Sequence, residues 1–174
     1  MGARKKAILV SVALIGVFTL CMSVGAIAAN PTGVSVSANV PSTIQLNMPI
    51  TAVNFGGGPL APGSSYTQVI TASINSNKGW SLKVTKDHDL LGGTSAETIP
   101  SADLTFTSAS ADPNVTVKVL TPTEFPTVAQ GAATAVGGTR GSSISSSISY
   151  SLTVPWDQAP DTYSATHTYT ATQP

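Results

Sequence analysis

From residue 34 onward, apolar and polar residues alternate with a period of two, and no stretch repeats with helical spacing. Val34, Val36, Ala38 and Val40 alternate with polar residues, and Ile44, Leu46 and Met48 do so after Pro41. Further sets are Ile70, Ala72, Ile74; Trp80, Leu82, Val84; Leu104, Phe106; Val115, Val117, Val119; and Ile148, Tyr150, Leu152, Val154. Tyr163, Ala165, His167, Tyr169 and Ala171 form the last. Successive side chains of a strand point to opposite faces, so this pattern marks strands with one buried face. Val, Ile, Thr and Tyr suit such a pleated surface. Turn formers separate the sets: Gly56-Gly57-Gly58-Pro59, Ala61-Pro62-Gly63, Asn75-Ser76-Asn77, Gly92-Gly93, Asp112-Pro113-Asn114, Gly137-Gly138 and Ala159-Pro160-Asp161.

The pattern predicts an all-β chain of roughly eight or nine short strands folded as a single antiparallel β-sandwich, immunoglobulin-like or jelly-roll. The Cys pair of antibody domains is absent. Trp80, Leu82, Val84, Tyr150 and Leu152 are the expected core anchors. Residues 121–143, rich in Thr, Ala and Gly, are expected to form a long excursion or a distorted edge strand. Trp156 follows Pro155 near a turn and is expected to cap the core, the alternative being an exposed aromatic contact for sugar.

The first 29 residues depart from the alternation. Arg4, Lys5 and Lys6 precede an apolar run from Ala7 to about Val24, and Ala26-Ile27-Ala28 fits an A-x-A cleavage site. Positive, apolar and small residues in that order form a secretory signal peptide. The expected organisation is a signal peptide over 1–29, an extended segment over 30–40 and a sandwich domain over 41–174. Lys6-Ala7-Ile8 also resembles the site at which archaeal prepilins are cut, which would retain the apolar run; the A-x-A site favours removal. Cys21 as a lipidation site is disfavoured by the bulky Leu20 before it.

Removal of the signal peptide changes the chemistry. It leaves about 145 of the 174 residues, enough for one domain with its own core. It takes away the single cysteine, and with it any disulfide or thiolate metal site. Of eight basic residues it removes three, leaving five against eight acidic ones and a net charge of −3. No basic patch remains, so nucleic acid is not an expected partner, and no membrane association is expected after cleavage. Sparse charge with abundant Ser and Thr suits assembly or durable extracellular use.

Catalytic chemistry has few candidates. Asp87-His88-Asp89 could bind a metal or move a proton, but adjacent residues seldom converge on one ion, and a solvated turn is the expected reading. His167 lies in phase with Tyr163, Ala165 and Tyr169 and reads as part of an aromatic stripe. Gly56-Gly57-Gly58 lacks the Lys and Ser/Thr of a phosphate loop, and no Gly-x-Ser-x-Gly elbow occurs. Asn114-Val115-Thr116 is an acceptor sequon for N-glycosylation. No enzyme activity, metal or cofactor is expected.

Two resemblances bear on function. Val53-Asn54-Phe55-Gly56, Tyr66-Thr67 and Asn75-Ser76-Asn77-Lys78 leading into Gly79-Trp80-Ser81-Leu82 resemble the first Trp-x-Leu region of WxL-type surface domains of Gram-positive bacteria. Ile148-Ser149-Tyr150-Ser151-Leu152, followed by Gln158-Ala159-Pro160, resembles the second region, with Tyr150 where the family carries its second Trp. That family attaches non-covalently to the cell wall, so the likeness implies a module binding cell-wall polymer or glycan. In overall plan the chain also resembles secreted β-sandwich subunits of extracellular filaments, such as TasA-like fibres and archaeal bundling pili. These polymerise by donor-strand complementation, which implies self-assembly into a surface homopolymer. The candidate donor residues are Val34, Val36, Ala38 and Val40. The same alternation also fits a first strand paired within its own domain.

Overall fold

The computed structural model describes residues 35–56 and 58–174. The expected signal peptide with Cys21 and the alternative site near Ala7, as well as Val34 and Gly57, lie outside the described residues. The strands in chain order are β1 (Ile44–Asn47), β2 (Ser65–Ser76), β3 (Trp80–Lys86), β4 (Leu90–Gly92), β5 (Thr98–Ile99) and β6 (Leu104–Ala109). They continue with β7 (Val115–Lys118), β8 (Thr123–Glu124), β9 (Ala133–Gly138), β10 (Gly141–Thr153), β11 (Tyr163–Ser164) and β12 (His167–Thr172). Single 3-10 turns at Ser101–Asp103 and Val128–Gln130 are the only helical elements among the described residues.

A five-stranded sheet in the order β1-β2-β10-β6-β8 faces a four-stranded sheet, β12-β3-β9-β7, with a small β11-β4-β5 sheet at one end. All these pairings are antiparallel, so the fold is the expected all-β antiparallel sandwich. Alternation builds its core directly. Ile70, Ala72 and Ile74 of β2, Phe106 of β6 and Ile148, Tyr150 and Leu152 of β10 point inward from one sheet. Trp80, Leu82 and Val84 of β3 and Ala135 and Val136 of β9 meet them from the other. Burying each Leu82- or Ile148-sized side chain contributes about 2 kcal/mol. The Ser108 hydroxyl donates to the Ala135 carbonyl (2.6 Å) and accepts from the Val119 N–H (2.7 Å), so this buried polar group is satisfied while it ties the sheets together.

Four departures from the expected pattern have physical causes. Residues 121–143 are not one long excursion: they hold β8, a two-residue edge strand, and then β9, a central strand between β3 and β7. Small residues are needed there because a side chain on Gly138 would meet the Asn114 carbonyl oxygen at 2.1 Å and the Trp80 ring at 3.1 Å. Val117 turns outward although Val115 is buried, since the register of β7 on β9 shifts between them. The last stripe is divided, with Tyr163 on β11 and His167, Tyr169 and Ala171 on β12. Trp156 does not cap the core: it is 82% exposed, and its indole lies against Gly63, whose positive φ of 75° places backbone where a side chain would collide with the ring.

Candidate functional site

Residues 40–174 form one compact unit. Of the part preceding it, residues 35–39 are described. They are exposed and carry no strand, and among the described residues the first regular element is β1, from Ile44. Val36 is 90% exposed, Val40 is 75% exposed, and Ala38 is exposed as well. A strand of the domain's own sheet would bury alternate members of this set, so 35–40 is not the domain's first strand; β1 has that place.

Asn77 holds the chain where it enters the sandwich. Its side-chain N–H donates to the Pro41 carbonyl (2.7 Å), its side-chain oxygen accepts from the Thr43 N–H (2.9 Å), and its own backbone N–H donates to the Thr43 carbonyl (3.3 Å). Gln173 adds a bond to the Thr43 carbonyl at 2.8 Å and one to the Ser42 hydroxyl. The chain therefore arrives at the end of the domain formed by the β2–β3 and β9–β10 turns, beside Lys78 and Arg140.

β1 covers only a third of its neighbour. It pairs with Ser73–Ser76, whereas β10 pairs with β2 down to Ser65. Among the described residues, no strand lies along the other edge of β2 at Tyr66–Ala72. Residues 48–64 pass nearby, with Met48, Val53, Phe55 and Leu60 half-buried against the core. Among the described residues they donate no backbone hydrogen bond to that edge and accept none from it. The edge has no charged side chain, and Val69 stands 53% exposed on its outer face.

The titratable groups gather at the opposite end. Asp87 accepts hydrogen bonds from the Thr166 N–H (2.8 Å) and the His88 N–H (2.7 Å). Burial acts against its ionisation, but these bonds prevail and hold it below the usual carboxylate range. Asp89 turns the other way, to the Lys86 ammonium and, at 2.7 Å, the Ser101 hydroxyl. It too lies below the usual range, with burial opposed by those bonds. Asp161 accepts from the N–H groups of Ser95, Thr94 and Thr162, which bring it to about 2. Asp87 and Asp89 thus turn to different partners, with His88 Nε2 3.4 Å from the Asp87 carboxylate, and among the described residues no three His, Cys, Asp or Glu side chains converge on a metal-sized space.

His167 stacks on Phe125 with ring centroids 4.0 Å apart, and its Nδ1 lies 3.3 Å from the Tyr150 hydroxyl. Burial, with the Lys86 ammonium beside it and Asp87 only partly offsetting both, brings His167 down to about 4. Burial pushes Tyr150 up to about 12 against a lowering bond from Tyr169. The space among Lys86, Ser101, Phe125 and His167 has no room for a water molecule, so the group is a packed joint.

Of the other residues singled out in the sequence, Trp80, Leu82, Val84, Tyr150 and Leu152 are buried in the core. Asn114 is half-buried, and the side-chain nitrogen a glycan would occupy donates to Asp112 at 3.0 Å. Sequence reading missed Phe125, which is fully buried within the poorly patterned 121–143 region. It also missed Lys86, which is 4% exposed. A signal for Lys86 was present, since it continues the inward parity of Trp80, Leu82 and Val84. No protein-family model matches the chain, and no curated protein is significantly similar to it.

Proposed function

We propose that the protein is a non-enzymatic, secreted structural subunit of a surface filament, polymerised by donor-strand complementation. Residues 30–40 would be the donated strand, freed when the export segment over 1–29 is removed. The observation that carries this reading is that Ile44–Asn47 takes the first place in the domain's own sheet while Val36, Ala38 and Val40 stay exposed outside any strand. An uncharged segment that alternates every second residue lacks backbone partners of its own, and an unpaired sheet edge supplies them. Head-to-tail insertion is a heterologous contact that need not close, so it yields a fibre. The test is electron microscopy of the mature protein beside a variant lacking residues 30–40. The intact protein is expected to form fibres and the deletion to remain a folded monomer; fibres from the deletion overturn the proposal.

A second reading is supported by one observation, the 82% exposure of Trp156. A flat, solvated indole is a suitable platform for a sugar ring, in keeping with a glycan- or cell-wall-binding module. Sedimentation with purified cell walls separates the two readings, because a filament subunit pellets without them. If wall-dependent pelleting occurs and Trp156→Ala abolishes it, the binding module is the correct function.

A further inference from the structure

We propose that the acceptor for the donated strand is the free edge of β2, filled antiparallel by residues 36–40 of a second copy of this chain. The expected register sets Val40 opposite Tyr66, Ala38 opposite Gln68 and Val36 opposite Ile70. This inference rests on the donor-strand reading and adds the site, direction and register.

The first support is the vacancy itself. β1 runs antiparallel to β2 and ends at the Asn47–Ser73 pair, and among the described residues no strand continues its line beside Tyr66–Ala72. Directly opposed residues of an antiparallel pair share a face. In the stated register Val40, Ala38 and Val36 therefore fall on the face of Tyr66, Gln68 and Ile70, the side on which Val53, Phe55 and Leu60 are only half-buried. A slip of one residue would turn the three apolar side chains to solvent. Of the other edges, β8 has two residues, β7 has four with a register shift, and β12 has six but lies beside β1.

The second support is reach, and it identifies the occupant. Pro41 is pinned to Asn77, and from Pro41 the chain back to Ser37 spans at most about 14 Å. Along β2, Asn77 and Val69 are separated by about 26 Å. Ser37 therefore cannot lie beside Val69 of its own chain, and a tail running back from the Asn77 end would be parallel to β2. A tail entering from a neighbour stacked on the opposite end has the right length and runs antiparallel.

The third support is charge. Of the eight Asp and Glu residues, all except Asp112 lie toward the end opposite Asn77, on Asp87, Asp89, Glu97, Asp103, Glu124, Asp157 and Asp161. Among the described residues, the only Lys or Arg there is Lys86, buried and paired with Asp89. Lys78 and Arg140 stand at the Asn77 end, where the tail emerges. Head-to-tail stacking brings the cationic end of one copy onto the acidic end of the next, which is the contact that delivers the tail to β2.

Disulfide trapping tests the assignment in the mature chain, which holds no native cysteine. In the proposed register Ser37 faces Val69 on the exposed side, so S37C combined with V69C is expected to give a ladder on non-reducing gels. Peptide mapping should find a link between positions 37 and 69 of different copies. The comparison variants pair S37C with T170C on β12 or V117C on β7 and are expected to give no such ladder. Fibres that link position 37 to 170 or 117, or that show no 37–69 link, overturn the β2 assignment and leave strand donation standing. Absence of fibres from the unmodified mature protein overturns donation itself.

Discussion

The hydroxyl groups of Tyr150 and Tyr169 lie 2.8 Å apart, one from each sheet of the sandwich. Tyr150 belongs to β10 and Tyr169 to β12, so the bond crosses the core and fixes how the two sheets meet. Replacing Tyr169 with Phe keeps the ring and removes this bond, leaving the Tyr150 hydroxyl only His167. The expected loss is about 1 kcal/mol, read as a lower urea midpoint with an unchanged slope. Tyr150→Phe should cost more, because it strips a partner from both Tyr169 and His167.

His167 makes stability depend on pH. Its folded value of about 4 lies below the ordinary 6.5, so between these values the unfolded chain binds a proton that the folded chain refuses. Stability is then fully present above pH 6.5, falls as pH drops toward 4, and levels off below. The total is about 3 kcal/mol. Lys86, Asp87 and Tyr150 are the groups facing the ring. Denaturant titrations across pH 4 to 7 should show this slope in the native protein and a much shallower one in His167→Phe, confined to the acid end where Asp87, Asp89 and Asp161 begin to lose their contribution.

Lys86 and Asp89 should respond unequally to mutation. Asp89→Ala leaves the Lys86 ammonium buried with only the Ser101 hydroxyl, at an expected cost of about 2 kcal/mol. Lys86→Met fills the same volume without a charge and leaves Asp89 half-exposed to water, so it should be near neutral. Equal losses from the two changes, by thermal or urea denaturation, would refute this account.

Much of the fold is legible in the sequence because the long strands obey a single rule. Trp80-Ser-Leu82-Lys-Val84 and Ile148-Ser-Tyr150-Ser-Leu152 are each buried at every second residue, and their inward parity can be read without coordinates. β9 is not legible in this way. Ala133-Thr-Ala-Val-Gly-Gly138 lies against Trp80 and Asn114, where closeness of backbone selects small residues and erases the apolar contrast. β4, β5, β8 and β11 have two or three residues each, too few to show a period. The candidate site is half legible: the alternation of Val36, Ala38 and Val40 is visible, but whether they pair at home depends on where β1 starts. The bare edge of β2 depends on how early β1 stops.

Gly138→Ala tests the account of β9. The added carbon would lie 2.1 Å from the Asn114 carbonyl oxygen, which is backbone and cannot swing aside. The expected result is a loss of about 3 kcal/mol or failure to fold, whereas Gly58→Ala, in open space, should be neutral by the same denaturation assay.

The charge separation between the two ends predicts how assembly responds to salt. Lys78→Glu together with Arg140→Glu should slow fibre growth several-fold at low ionic strength. The difference from the native protein should shrink near 0.5 M salt, where screening shortens the range of these charges. Growth followed by light scattering checks this, and identical rates at low salt would refute it.

The two tryptophans give the molecule a pair of optical probes. Trp80 is sealed in the core with its indole N–H donated to the Thr139 carbonyl at 2.8 Å, while Trp156 stands in solvent at the acidic end. Iodide should quench the red-shifted emission of Trp156 and spare the blue-shifted emission of Trp80. In the proposed fibre the first signal would report events at the acidic end and the second unfolding, so joining of subunits and loss of the fold could be told apart in one cuvette without a label.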